Sequence, residues 1–158
     1  MSTPQRMDSA VGTISPAEFV TFRLEHQWIG IPVMTVQEVL MTHRIARVPL
    51  AQDAVPGLLN LRGQIVTAVD LRSTLRLTPR ADDDSYMNVV VRHEGELFAF
   101  MVDDVGDVVT VAPEAIEAPP STLDERWRLA TSGIVRRERD LLVVMNVPEL
   151  IKLEQIAV

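Results

Sequence analysis

Three groupings in this 158-residue chain combine residue types that could do chemistry. Asp70 and Arg72 set an acid and a guanidinium two positions apart, Asp103, Asp104 and Asp107 gather carboxylates on one short segment, and His26, His43 and His93 supply imidazoles. Each has a plainer reading. Asp70 stands directly ahead of Leu71 to Leu75, where its carboxylate can accept the free N–H groups of a helix start. The Asp103 group lacks the Gly turn and distal bidentate Glu of a calcium-binding loop, and reads as a solvated acidic edge. The three histidines never recur at i, i+4, the spacing that aims two imidazoles at one metal, so no metal site is expected. No Ser occupies a nucleophile elbow and no Gly-rich loop precedes a helix to cradle phosphate. No two carboxylates have an assigned common cleft. The chain is therefore not expected to be an enzyme or to carry a cofactor.

A fourth grouping, Arg62-Gly63, is of another kind. It separates the apolar runs Leu58-Leu59-Asn60-Leu61 and Ile65-Val66-Thr67-Ala68-Val69. A long cation on such a turn is presented to solvent or to a partner rather than buried. The residues alone leave both roles open. Gly57 and Gly63 read most simply as turn residues needing positive φ. Val36, Val39 and Leu40 share one face of a helical turn, which makes Val39 a core residue by the usual rule.

Composition narrows the classes further. A net charge of −7 opposes the clustered positive charge that nucleic-acid binding requires. With 4% aromatics the chain lacks base-stacking platforms, while 47% apolar residues suffice for one aliphatic core. Cys is absent, so stability rests on packing, as suits a reducing cytoplasm. All but one of the 15 basic residues are Arg, suited to carboxylate pairing. No apolar run approaches the roughly 20 residues of a membrane helix, and the opening residues resemble no signal peptide. A cytoplasmic protein is expected, without membrane insertion, and a monomer in isolation.

The elements that must position these residues are mostly strands. Residues 1 to 16 read as a flexible tail. Val20, Phe22 and Leu24 alternate with polar neighbours, and Ile29, Ile31 and Val33 resume the alternation after Glu25-His26-Gln27, which describes a hairpin. Thr35 is positioned to cap a short helix from Val36 to Met41. The Arg62-Gly63 turn joins a second hairpin, and Asp70 opens a helical turn ending near Leu77. Residues 78–85, which include Asp82 to Asp84, form an acidic linker. Val89 to Val91 and Leu97 to Val102 flank a third turn, and Gly133 to Val135 and Leu141 to Met145 a fourth. Asn146 and Pro148 start a closing helix that runs to about Gln155.

The halves match each other. Val36 and Glu38 fall on Val105 and Asp107 (105 − 36 = 69), and Gly57, Ile65 and Leu71 fall on Gly133, Leu141 and Val147 (133 − 57 = 76). The second copy thus carries seven extra residues between its hairpins (76 − 69 = 7). Neither copy holds enough core to stand alone, so two small β-barrels should pack together with a groove between them. A single irregular sandwich is the alternative.

The run Gly57-Leu58-Leu59-Asn60-Leu61-Arg62-Gly63-Gln64-Ile65-Val66, continuing through Val69-Asp70-Leu71-Arg72, closely resembles the CheW family of chemotaxis proteins. Val36-Gln37-Glu38-Val39, Val102-Asp103-Asp104-Val105 and Ser132-Gly133-Ile134 stand in family order, and the resemblance runs from about Glu18 to Gln155. Thr67, where the family often has Pro, and the stretch Ala118 to Ala130 depart from it. The resemblance implies a mainly β fold of two SH3-like five-stranded barrels, with short helices between strands and a C-terminal helix. The intertwined subdomains would lie near 17–77 and 86–158. It also implies an adapter between the cytoplasmic tip of methyl-accepting chemoreceptors and the regulatory domain of the histidine kinase CheA. Val36, Glu38, Gly57, Leu61, Arg62, Gly63, Val105 and Val108 would be the receptor-binding residues, with Val36 and Val105 on opposite walls of the groove. A paralogue that binds receptors without activating CheA, or a small-ligand-binding barrel, are the competing readings.

Overall fold

A computed structural model describes residues 16–41, 46–47, 56–81 and 85–156; the rest of the expected tail, His43 and Asp82 to Asp84 lie outside it. The strands are β1 (Ala17–Leu24), β2 (Gln27–Pro32), β3 (Val36–Leu40), β4 (Ala46–Arg47), β5 (Gly57–Leu61) and β6 (Gln64–Asp70), then β7 (Met87–His93), β8 (Glu96–Val102), β9 (Asp104–Val111), β10 (Ile116–Glu117), β11 (Thr131–Arg136) and β12 (Leu141–Met145). The helices are α1 (Leu71–Thr74), α2 (Glu125–Ala130) and α3 (Val147–Ile156). The protein is mainly β, and all four expected hairpins form. Their turns follow from backbone chemistry: Arg62-Gly63 and Glu94-Gly95 both have positive φ at each position, the geometry that matches the twist of the flanking strands.

The strands form two six-stranded sheets, β10-β11-β12-β2-β1-β9 and β3-β7-β8-β6-β5-β4. Residues 17–77 and 86–158 each contribute strands to both. The hairpin β1–β2 joins β9–β12 through the parallel pair β12·β2, and β7–β8 joins β3–β6 through the parallel pair β6·β8. The repeat is therefore exchanged reciprocally. Parallel pairing cannot be made by a tight turn, so the partner must come from far along the chain.

Strand β8 shows why this arrangement is stable. Leu97, Ala99 and Met101 join Leu59, Leu61, Val66 and Val90 in a small cluster on one face of the second sheet. Phe98, Phe100 and Val102 enter the large cluster on the other, with Phe22, Ile29, Ile31 and Met145 from the first sheet and Leu150 from α3. A strand covered on both faces reads as a continuous apolar run, as Leu97-Phe98-Ala99-Phe100-Met101-Val102 does.

Two local expectations are corrected. Val36–Leu40 is a strand paired with β7, not a helix, and Thr35 ends a 3-10 turn in which its hydroxyl donates to the Pro32 carbonyl. The corresponding second-half segment is likewise a strand, β9, paired with β1. The three-residue apolar spacing of Val36 and Val39 suggested a helix, but ladder hydrogen bonds to β7 outweigh so short a helix. Val39 consequently points outward and is 38% exposed rather than core.

The reading of Asp103 as a solvated edge is also overturned. Its side chain is 8% exposed and receives Arg72 Nε at 3.0 Å, Arg72 Nη2 at 2.6 Å, Arg80 Nη1 at 3.1 Å and the Glu25 N–H at 2.7 Å. Asp104 and Asp107 remain exposed. The carboxylate ties the β1–β2 turn of one sheet to α1 and residue 80 beside the other. Asp70 caps α1 by accepting the Arg72 N–H, as expected, and lies 3.6 Å from Arg80 Nη2. Burial raises the Asp70 carboxyl above its usual range, only partly offset by Arg80 and Arg72. Burial also pushes Asp103 upward, but its hydrogen bonds from Arg72 and Glu25 and the charges of Arg72 and Arg80 hold it below the ordinary 3.8.

Asp103→Ala should therefore cost about 3–5 kcal/mol, because two guanidinium groups lose their buried partner. A carboxyl depressed on folding stabilises above its unfolded pKa and loses that contribution as pH falls through its folded one. In urea unfolding, the gap between wild type and Asp103→Asn should be constant above about pH 5. It should narrow as pH drops below 3.8.

Candidate partner-binding site

The Arg62-Gly63 turn is anchored from below. Leu59 and Leu61 are buried in the small cluster, and the Gly63 N–H donates to Asn60 Oδ1 at 2.8 Å, fixing the reversal. Arg62 has φ 51° and Gly63 φ 87°, so the chain turns in the left-handed region and carries the Arg62 side chain away from the sheet. That side chain is 68% exposed, and its guanidinium donates to Glu38 Oε2. The contact reports on the shape of the whole sheet. Glu38 lies on the edge strand β3 and Arg62 beyond β5, separated in the strand order by β7, β8 and β6. The sheet must curl for these ends to meet, and Leu40 of β3 accordingly packs against the small cluster.

The other residues named from the sequence divide by accessibility. Val36 on β3 and Val105 on β9 are half-buried, and both pack against the large central cluster from the outermost strands of their respective sheets. Val108, opposite Val20, is 54% exposed. Leu61 is buried in the small cluster, which makes it a support for the turn rather than a surface. Gly57 is also buried; it opens β5 opposite Ala68 and is not among the positive-φ residues, so its expected turn role is corrected. Its distance along β5 from Arg62 places it at the far end of that strand. The structure thus brings Arg62 and Glu38 together and gives Val36, Val105 and Val108 to the two edge strands.

Chemically, this turn offers a planar cationic fork and an acidic partner from which it can be drawn. A guanidinium so placed can exchange Glu38 for a carboxylate on a docking protein with two parallel hydrogen bonds. Among the described residues no group of three His, Cys, Asp or Glu could hold a metal ion. None of the described helices is long and apolar enough to cross a membrane.

Sequence reasoning missed the Asp103 cluster and helix α2. The signal for α2 was present: Asp124 accepts the Arg126 and Trp127 N–H groups, an N-cap followed by acidic Glu125. It lies in the stretch between β10 and β11, where the second copy carries its extra residues.

Gly63→Ala should cost about 1–2 kcal/mol, since a Cβ is disfavoured in the left-handed region. Glu38→Gln breaks an exposed pair and should change stability by less than about 1 kcal/mol. Urea unfolding of both variants checks the contrast.

A family model described as the CheW-like domain matches residues 18–155. The chemotaxis protein CheW of Treponema pallidum is 27% identical over 137 residues, covering 84% of this chain and 81% of its own. That of Klebsiella aerogenes is 27% identical over 143 residues, covering 89% and 84%. The crystal structure of the scaffolding protein TtCheW from Thermoanaerobacter tengcongensis superposes with a TM-score of 0.75 at 25% identity, covering 84% of this chain and 90% of that one. The exchanged two-sheet fold, the Arg62-Gly63 turn and a match spanning nearly all the described residues lead to one conclusion: the chain belongs to the CheW family.

Proposed function

We propose that the chain is a non-enzymatic adapter in the cytoplasm, coupling methyl-accepting chemoreceptors to the histidine kinase CheA. The observation that carries this reading is the Arg62 guanidinium, held out on a turn and paired only at the surface with Glu38 of the edge strand β3. The receptor's helical tip supplies an apolar stripe for Val36, Val105 and Val108 and a carboxylate for Arg62. Gly63 sets the β5–β6 turn, Gly57 opens β5 at its other end, Glu38 holds Arg62 in register, and Leu61 fixes the turn to the core. The site lies between two barrel-like subdomains, each drawing strands from both halves of the chain. A separate surface takes the CheA regulatory domain. Coupling needs no chemical step, because a shift of the receptor helix that changes its contacts with a rigid adapter also changes which kinase state the assembly favours.

The test is co-sedimentation with CheA and a receptor signalling fragment, singly and together. Arg62→Ala should weaken receptor capture about tenfold or more, the scale of a lost charge-assisted pair, and leave CheA binding unchanged. A wild-type protein that captures the receptor fragment but not CheA would identify a receptor-binding paralogue instead.

A further inference from the structure

The end of the molecule away from the Arg62 turn carries a second apolar surface. Strand β6 begins beside that turn and runs seven residues to α1, a span of about 20 Å. Beyond α1, two adjoining cavities of about 500 and 380 Å³ share Leu77, Asp124 and Trp127. The Trp127 indole is fixed between them, because its Nε1–H donates to the Leu75 carbonyl at 3.1 Å. The larger cavity extends to Leu129, which is 58% exposed, and the smaller to Leu24. Of the apolar lining, Leu129 is exposed, Leu77, Leu123 and Trp127 are half-buried, and Leu24 and Leu75 belong to the buried core.

The charges around the groove are unequal. The smaller cavity is bordered by Glu25, Asp124 and His26 with no Lys or Arg, and Glu125 adds a third carboxylate at the larger. Glu25 accepts the Thr78 N–H at 2.9 Å and Asp124 caps α2, but none of the three carboxylates forms an ion pair among the described residues. Of the two arginines at the larger cavity, Arg126 is turned inward: its Nε donates to the Thr74 carbonyl at 2.5 Å and its Nη2 to the Leu153 carbonyl at 3.0 Å. Arg76 lines the larger cavity and not the smaller. The surface therefore offers two apolar sockets and an acidic flank at the smaller one.

We infer that this groove docks an amphipathic helix of a partner protein, two of whose apolar side chains, one turn apart, enter the cavities on either side of Trp127 while a Lys or Arg faces Glu25 and Asp124. Side chains at i and i+4 stand about 6 Å apart, which suits sockets that share a wall. This surface is separate from the Arg62 site, and its occupation does not depend on the function assigned there.

The probe is an Ala-based helical peptide of about fifteen residues, with Leu at i and i+4 and an Arg pair at one end. Trp28→Phe leaves Trp127 as the sole remaining indole of two, and its emission reports binding to the full chain. Saturable binding is expected, weakened about tenfold or more when the Arg pair becomes Glu or when Leu129 is replaced by Asp, and unchanged in Arg62→Ala. Leu129 is mostly exposed, so circular dichroism of Leu129→Asp should match wild type. No saturable response, equal binding of the Arg and Glu peptides, or full binding by a folded Leu129→Asp protein would each overturn the assignment.

Discussion

The burial of one aliphatic cluster between two sheets governs the rest of this structure. Phe22, Leu24, Ile29 and Ile31 come from the first sheet, Val69, Val89, Val91, Phe98 and Phe100 from the second, and Leu150 and Ile151 from α3 close one side. Neither sequence copy could build this layer, because each surrenders strands to the sheet of the other. The exchanged hairpins let β8, apolar along its whole length, be covered on each face. Strand β12 repeats the solution of β8, with Leu142 and Val144 entering a third cluster beside Phe19 while Val143 and Met145 face the central one.

Close packing then leaves little freedom at the points where the strands cross. Gly106, where the β1·β9 register shifts, lies under the Trp28 ring; a Cβ there would come within 2.8 Å of Trp28 Cζ3 and 2.7 Å of the Thr21 hydroxyl. That contact fixes how β9 meets the first sheet, and with it the positions of Val105 and Val108. Strand β9 is thus positioned by the core rather than by a loop.

The arginines illustrate how location decides the worth of one chemical group. Arg72 holds Asp103 by two nearly parallel hydrogen bonds within the protein, where loss of either partner strands a buried charge. Arg62 also pairs with a carboxylate, yet in solvent the pair contributes little to stability and can be exchanged without cost to the fold. The first residue is committed to joining the sheets, and the second is held only by a surface pair.

Much of this was legible in the chain itself. Period-two alternation with Gly-containing turns marks the hairpins, Asp70 and Asn146 mark helix starts, and the offset between the copies marks the repeat, because these depend on neighbours within a few residues. Arg62-Gly63 could be placed on a turn for the same reason. The tertiary structure decided the rest. Val36–Leu40 is a strand because β7, some fifty residues away, supplies its hydrogen bonds; Asp103 is buried because Arg72 and Arg80 converge on it from another element; and Glu38 meets Arg62 only because the sheet curls. Local pattern determines which residues can form a strand or turn, whereas partner, burial and ionic contact are set by which distant segments the shared core brings together.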